Sequence, residues 1–182
     1  MTVLIDRTTA LETIASASWP ESTADATAPS LAGFIVSSFS PIAAALADRC
    51  LGRREAGEPR ITAVIIASAL GDVAGAIHVA RAIDAEGRIG PLLFFQSVPN
   101  AVAGYIAARH DLTGPVVCVG DVDAAHAIAA LLIEDGDTDE ALLLHIESGQ
   151  ASAVLVRAAG AGAADAAADV AAHVPASEGG QP

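Results

Sequence analysis

Gly114-Pro115-Val116-Val117-Cys118-Val119-Gly120-Asp121-Val122-Asp123, running on through residues 124–133, is the stretch whose reading decides the fold. Val116, Val117 and Val119 are β-branched and Gly120 ends the run, the pattern of a short buried strand. Asp121 and Asp123 both suit the N-cap of a following helix. From residue 124 to 133 that helix is apolar except for His126. A helix without a polar face calls for cover on every side, which predicts a place at the centre of a domain. The turn before it gathers backbone amides at a helix N-terminus, where many folds place their chemistry.

Working outward, residues 61–67 read as a second buried strand, and Gly71-Asp72 turns the chain into a helix ending near Gly87. Pro91-Leu92-Leu93-Phe94-Phe95 leads to Ser97 and Asn100, after which Val98, Ala101, Val102, Tyr105 and Ile106 share one helical face. An acidic turn at residues 134–137 precedes a third buried strand at 141–146, and residues 153–157 read as a last strand. Upstream, Ser40-Pro41 opens a helix to about Leu51. Residues 15–30, rich in Ala, Ser, Thr and Pro, read as a loop anchored by Trp19-Pro20, and residues 2–5 as a first strand. From residue 158 on, Ala, Gly and Asp leave little to pack, so residues 158–182 read as a disordered tail. The expected organisation is one α/β domain over residues 1–157, with its core at 61–157 and helices on both faces of the sheet.

Composition narrows the function. The chain has 182 residues, a net charge of −13, and nine basic residues that are all Arg. That balance opposes nucleic acid and anionic membrane surfaces, so neither is an expected partner. Cys50 and Cys118 stand far apart and match neither a disulfide framework nor a zinc site. No basic, apolar leader and no long uncharged apolar run is evident, so a cytoplasmic location is the expectation. Gly71-Asp72-Val73-Ala74-Gly75 is not a dinucleotide fingerprint and lacks the P-loop Lys; no G-x-S-x-G or H-E-x-x-H occurs. No cofactor and no metal is expected.

Three segments carry a resemblance. Phe95-Gln96-Ser97-Val98-Pro99-Asn100-Ala101-Val102-Ala103-Gly104-Tyr105-Ile106-Ala107, then Leu112-Thr113-Gly114-Pro115, then Asp139-Glu140-Ala141-Leu142, resemble the N-terminal half of a β-ketoacyl synthase. The resemblance is closest to the ketosynthase-like and chain-length-factor-like proteins of bacterial type II polyketide and fatty-acid pathways. It covers residues 61–157 well and 31–51 weakly. It implies a thiolase-like half-fold, layered α/β/α, whose central buried helix carries the nucleophile at its N-terminus. A Cys placed there has a lowered pKa and takes an acyl group from a carrier thioester. In the family that Cys lies nine residues after the Gly of Gly-Pro, and the matching position here is Asp123. A carboxylate is a poor nucleophile toward a thioester. The family's two catalytic His residues belong to a C-terminal half that this sequence lacks.

The resemblance therefore implies a non-catalytic accessory of polyketide or fatty-acid assembly, paired with a ketosynthase subunit or with itself. In the family the strand matching residues 116–119 pairs across a dimer, which makes Val117 and Val119 interface candidates. An acyl carrier protein is expected to bind weakly, because such proteins and this chain are both acidic, unless Arg49, Arg53 and Arg54 form a local docking cluster. The alternatives are an acyltransferase or thioester-processing enzyme using Cys118, Asp123 or His126, and an acyl-chain binding module.

Each candidate also has a plainer reading. Asp123 is a helix cap or a remnant acyl site. Cys118 is a small core hydrophobe or a displaced nucleophile. His126 is a core or interface residue, or it lines a pocket with Asp123, since i and i+3 share a face. His145 reads as structural, and His78 and His110 as surface or helix-end residues. Ser97 and Asn100 cap a helix, or contact the acyl pocket and subunit interface that the resemblance places nearby. Phe94 and Phe95 read as core or interface aromatics.

Overall fold

Thr62–Ala67 is buried at all six positions, and the sheet is built around it. The computed structural model describes residues 9–85, 90–147 and 150–160. In chain order the elements are β1 (Leu11–Trp19), α1 (Phe39–Gly52), β2 (Thr62–Ala67), α2 (Val73–Asp84), α3 (Pro91–Gln96), α4 (Pro99–Arg109), β3 (Val116–Val119), α5 (Val122–Glu134), β4 (Glu140–Glu147) and β5 (Gln150–Ala158). A 3-10 turn at Thr23–Ala26 follows β1. The strand order is β1-β5-β4-β2-β3. β2 runs parallel to both β3 and β4, whereas β4, β5 and β1 are successively antiparallel.

Alternation along these strands feeds two cores. Val64, Ile66, Leu142, Leu144 and Leu155 meet Leu46, Ala47 and Cys50 of α1 and Val102 and Ile106 of α4. Ala63, Ile65, Ala67, Leu143 and Val156 meet Ala125 and Ala129 of α5. The expected layered α/β/α arrangement is what the chain adopts. The faces are unequal: two helices cover one, and α5 covers the other.

Four features differ from the sequence reading. Residues 11–19, partly placed in a loop, form β1, paired with β5 from Leu11↔Ala158 to Trp19↔Ala151. Its inward residues Ala15 and Ala17 are small and give little hydropathy contrast with Ser16 and Ser18. Residues 91–96 form a short helix of their own, α3. β5 starts at Gln150, not at 153. Most consequentially, β3 is an edge strand with one exposed and three half-buried positions, not a buried central one. Helix α5 is correspondingly covered on one side only: Ala125, Ala129 and Ala130 are buried, while Asp123, His126, Ala127 and Leu131 are exposed. The expected strand at residues 2–5, Gly87, and the tail beyond residue 160 lie outside the described residues. Among the described residues no helix is long and apolar enough to cross a membrane.

The turn Leu112-Thr113-Gly114-Pro115 is fixed by a close approach. A Cβ on Gly114 would lie 2.5 Å from the backbone carbonyl of Thr62, so only Gly lets the chain enter β3 against β2. Gly114 N donates to Thr62 O at 3.2 Å.

Arg49, Arg53 and Arg54 do not form a free basic cluster. Arg49 lies over the Trp19 ring at 4.6 Å and donates to Asp25 Oδ2 at 2.9 Å. Arg53 grips both oxygens of Glu21 at 2.8 and 2.7 Å. Arg54 donates to Glu140 Oε1 at 2.7 Å. These bonds tie the end of α1 to β1, the turn after it, and β4.

The Arg53 guanidinium, helped by the Ser18 amide, holds the Glu21 carboxyl down at about 2 against an ordinary 4.5. Arg49, helped by the Glu21 amide, holds Asp25 at about 2 against 3.8. Both groups titrate lower in the folded chain than in the unfolded one. Their stabilisation is therefore complete above about pH 4.5 and is lost as pH falls toward 2. Thermal unfolding across this window is expected to show a falling Tm for the wild type and a shallower fall for the Glu21→Gln/Asp25→Asn double variant. Equal slopes would contradict this assignment.

Candidate functional site

The geometry at the head of α5 follows from the β3–α5 turn. Asp121 leaves β3 with extended backbone, and its Oδ1 accepts from Ala124 N at 2.7 Å. Asp121 is thus the N-cap, which removes that role from Asp123. Asp123 sits in the first turn of α5 and is exposed. A carboxylate there is favoured by the amide dipoles of the helix start. His126 lies one turn on, on the same exposed side, and its Nδ1 bonds Val122 O at 2.9 Å.

Cys118 is not part of this group. Side chains alternate along β3, so Val117 and Val119 pack toward α5 while Cys118 packs into the opposite core, beside α1 and α4. Burial pushes its thiol up to about 11, so at neutral pH it carries little thiolate. Cys50, buried within α1, is pushed up to about 11 by the same cause. The sheet itself separates Cys118 from Asp123 and His126, and the three cannot act on one bound group.

The residues flanking α4 also separate. The cap position of α4 is Val98, with no side-chain cap bond and Pro99 opening the helix, so neither Ser97 nor Asn100 occupies the cap position. Ser97 lines a small cavity with Ser37, Asp72 and Gln96. There Asp72 caps α2, accepting from Gly75 N at 2.8 Å and from the Ser37 hydroxyl at 2.6 Å. Asn100 instead borders an apolar groove of about 530 Å³ lined by Phe34, Val98, Ala101 and Tyr105. Phe34 and Tyr105 meet edge to face at 6.0 Å. The side chains of Phe94 and Phe95 lie outside the described residues.

The other described histidines are dispersed. His78 is exposed on α2, His110 Nε2 contacts Asp48 Oδ1 at 2.8 Å, and His145 lies 3.7 Å from Glu147. Among the described residues no group of three or more His, Cys, Asp or Glu is placed to hold a metal ion.

What this part of the molecule offers is an open sheet edge beside a half-covered helix. The carbonyls of Pro115 and Val119 accept from Val64 N of β2 and from Ser68 N just past its end, at 2.9 and 3.0 Å. Backbone groups alternate sides along a strand, so those of Val116 and Cys118 point away from β2, toward the outer edge. Among the described residues no strand pairs with that edge. Val116 is 38% exposed there, and Leu131 of α5 is 55% exposed.

Sequence reasoning overlooked Glu140, which entered only as part of a motif. It is fully buried at the start of β4. An acidic residue opening an otherwise apolar strand was the available signal.

No protein-family profile matches the chain, and no curated protein matches it. Solved structures do. A ketosynthase in complex with its chain length factor from Xenorhabdus doucetiae matches at TM-score 0.58 and 17% identity, covering 72% of this chain and 63% of that one. The ishigamide ketosynthase/chain length factor matches at TM-score 0.61 and 20% identity, covering 72% and 46%. An oxazolomycin ketosynthase domain from Streptomyces albus JA3453 matches at TM-score 0.55 and 17% identity, covering 74% and 30%. The class is therefore settled at the level of architecture: this is an α/β chain of thiolase-like, ketosynthase-like fold. It spans less than two thirds of the length of each of these chains.

Stability measurements separate the two acids at the helix head. Asp121→Ala is expected to cost about 1 kcal/mol, as for other N-caps. Asp123→Ala should stay within about 0.5 kcal/mol of wild type in chemical denaturation, as an exposed substitution. The reverse order would mean that Asp123 is the cap.

Proposed function

We propose that the chain is a non-catalytic, chain-length-factor-like accessory of polyketide or fatty-acid biosynthesis. It works in the cytoplasm by pairing with a ketosynthase subunit or with a second copy of itself. The observation that carries this reading is the head of α5. An exposed Asp123 stands at the position where the resembled family carries its nucleophilic Cys, and no thiol reaches that side of the sheet. The open edge of β3 and the bare side of α5 supply the pairing surface. Similarity to two ketosynthase/chain length factor structures supports the same reading. Direct contact with an acyl carrier protein is expected to be weak, because Arg49, Arg53 and Arg54 are already engaged by carboxylates.

Light scattering after size exclusion, with and without a full-length ketosynthase from the same organism, tests the pairing. Association is expected for the wild type, and its loss for Val116→Lys, which puts a charge on the exposed edge while leaving Tm within a few degrees. A wild-type chain that stays monomeric and does not co-elute with the ketosynthase would overturn the proposal.

The apolar groove beside Asn100 favours a second reading, an acyl-chain binding module. Under that reading Tm rises with ligand and depends on acyl chain length. The covalent alternative is tested by incubation with an acyl-CoA. No mass adduct is expected, because the Cys118 thiol is held protonated. An adduct at Cys118 that disappears in Cys118→Ala would show that the chain processes thioesters.

A further inference from the structure

A second site lies at the far end of the sheet, away from the head of α5. Glu140 opens β4 in register with Thr62 of β2 and with Arg157 of β5, and Arg157 is in register with Glu12 of β1. One polar row thus crosses four strands where β2 and β4 begin. The head of α5 follows the last residue of β3, which runs parallel to them, so the two places sit at opposite ends of the strands. Glu140 shares its face of β4 with Leu142 and Leu144, which places the row on the face carrying α1 and α4.

Over this row is a cavity of about 370 Å³, lined by Arg54, Arg60 and Arg157 and by Glu12, Glu55, Glu58 and Glu140. Glu140 is fully buried. Its Oε1 accepts from Arg54 Nη1 at 2.7 Å and from the Thr62 hydroxyl at 2.8 Å. Its Oε2 has no hydrogen-bond partner among the described residues. A buried carboxylate oxygen without a donor is strongly unfavourable and selects for one. The lining holds four carboxylates against three guanidiniums, so a donor bearing one positive charge also balances the site. Of the two donors on Oε1, Thr62 is buried in β2, and Arg54 is the one whose side chain can swing. Arg54 lies two residues past the end of α1 in a segment without regular structure, and its side chain is 36% exposed.

We propose that this cavity binds a small molecule through a protonated primary amine, which donates to Glu140 Oε2 as Arg54 moves aside. An ammonium group supplies short, directed N–H donors and the missing charge together. A quaternary ammonium of similar size supplies the charge without the donors. This proposal is independent of the pairing reading, since it uses none of the β3 or α5 residues.

The test is an amide NMR titration of the full chain with ethylammonium chloride, against tetramethylammonium chloride at the same ionic strength. Ethylammonium is expected to give saturable shifts at Thr62, Glu140 and Arg157, and tetramethylammonium none. Glu140→Gln should weaken binding by at least about tenfold, because a charge-assisted hydrogen bond is lost. Since that variant loses a buried ion pair and can fail to fold, Glu58→Gln on the exposed loop is the second variant. It should retain the fold and weaken ethylammonium binding a few-fold through lost charge. An absence of saturable shifts in the wild type, equal shifts from both cations, or saturable shifts confined to other residues would overturn the proposal.

Discussion

The parallel pairing of β2 on both sides is the constraint on which the rest depends. Thr62–Ala67 is buried at every position, so each of its faces needs an apolar layer and each of its edges a strand. β4 satisfies one edge and carries the sheet on to β5 and β1. β3 satisfies the other and stops there. Entry into β3 passes so close to the Thr62 carbonyl that Gly114 has no substitute with a side chain. The turn out of β3 then delivers Asp121 to cap α5 and lays that helix across β2 and β4.

The two faces that result are physically different. Helices α1 and α4 bury large side chains on one, and ion pairs from the end of α1 lock it to the turn after β1 and to β4. On the other, among the described residues, α5 alone meets the sheet, through buried Ala125 and Ala129 flanked by half-buried Val122, Ile128 and Leu132. Small residues allow close approach but bury little surface, and they leave Leu131 and Ala127 facing outward. The edge strand of valines next to that helix exposes backbone hydrogen-bonding groups and apolar side chains together. A catalytic reading has to find a nucleophile there and meets only carboxylates and an imidazole. A pairing reading uses what is present.

Much of this was legible in the sequence because strong signals were local. Continuous runs such as Thr62–Ala67, and the helical spacing of Ala101, Val102 and Ile106, gave the main elements and their buried sides. The errors came where contrast was low or the answer was not local. β1 alternates Ala with Ser, a difference too small to read as a strand. The sequence of α5 is apolar all round, and that alone cannot distinguish a helix already wrapped from one awaiting a partner. Asp121 and Asp123 differ only in backbone geometry, which composition does not encode. Arg49, Arg53 and Arg54 look like a basic patch until Asp25, Glu21 and Glu140 arrive from distant positions. The burial of Glu140 depends on the register of four strands.

The central claim is that the outer edge of β3 is a pairing surface and not a solvent-facing border. Hydrogen exchange at the Val116 and Cys118 amides, which point away from β2, tests it most directly. The account predicts fast exchange in dilute isolated chain and strong protection once a ketosynthase subunit, or enough of the chain itself, is present. Unchanged fast exchange in the complex, with protection appearing elsewhere, would contradict it.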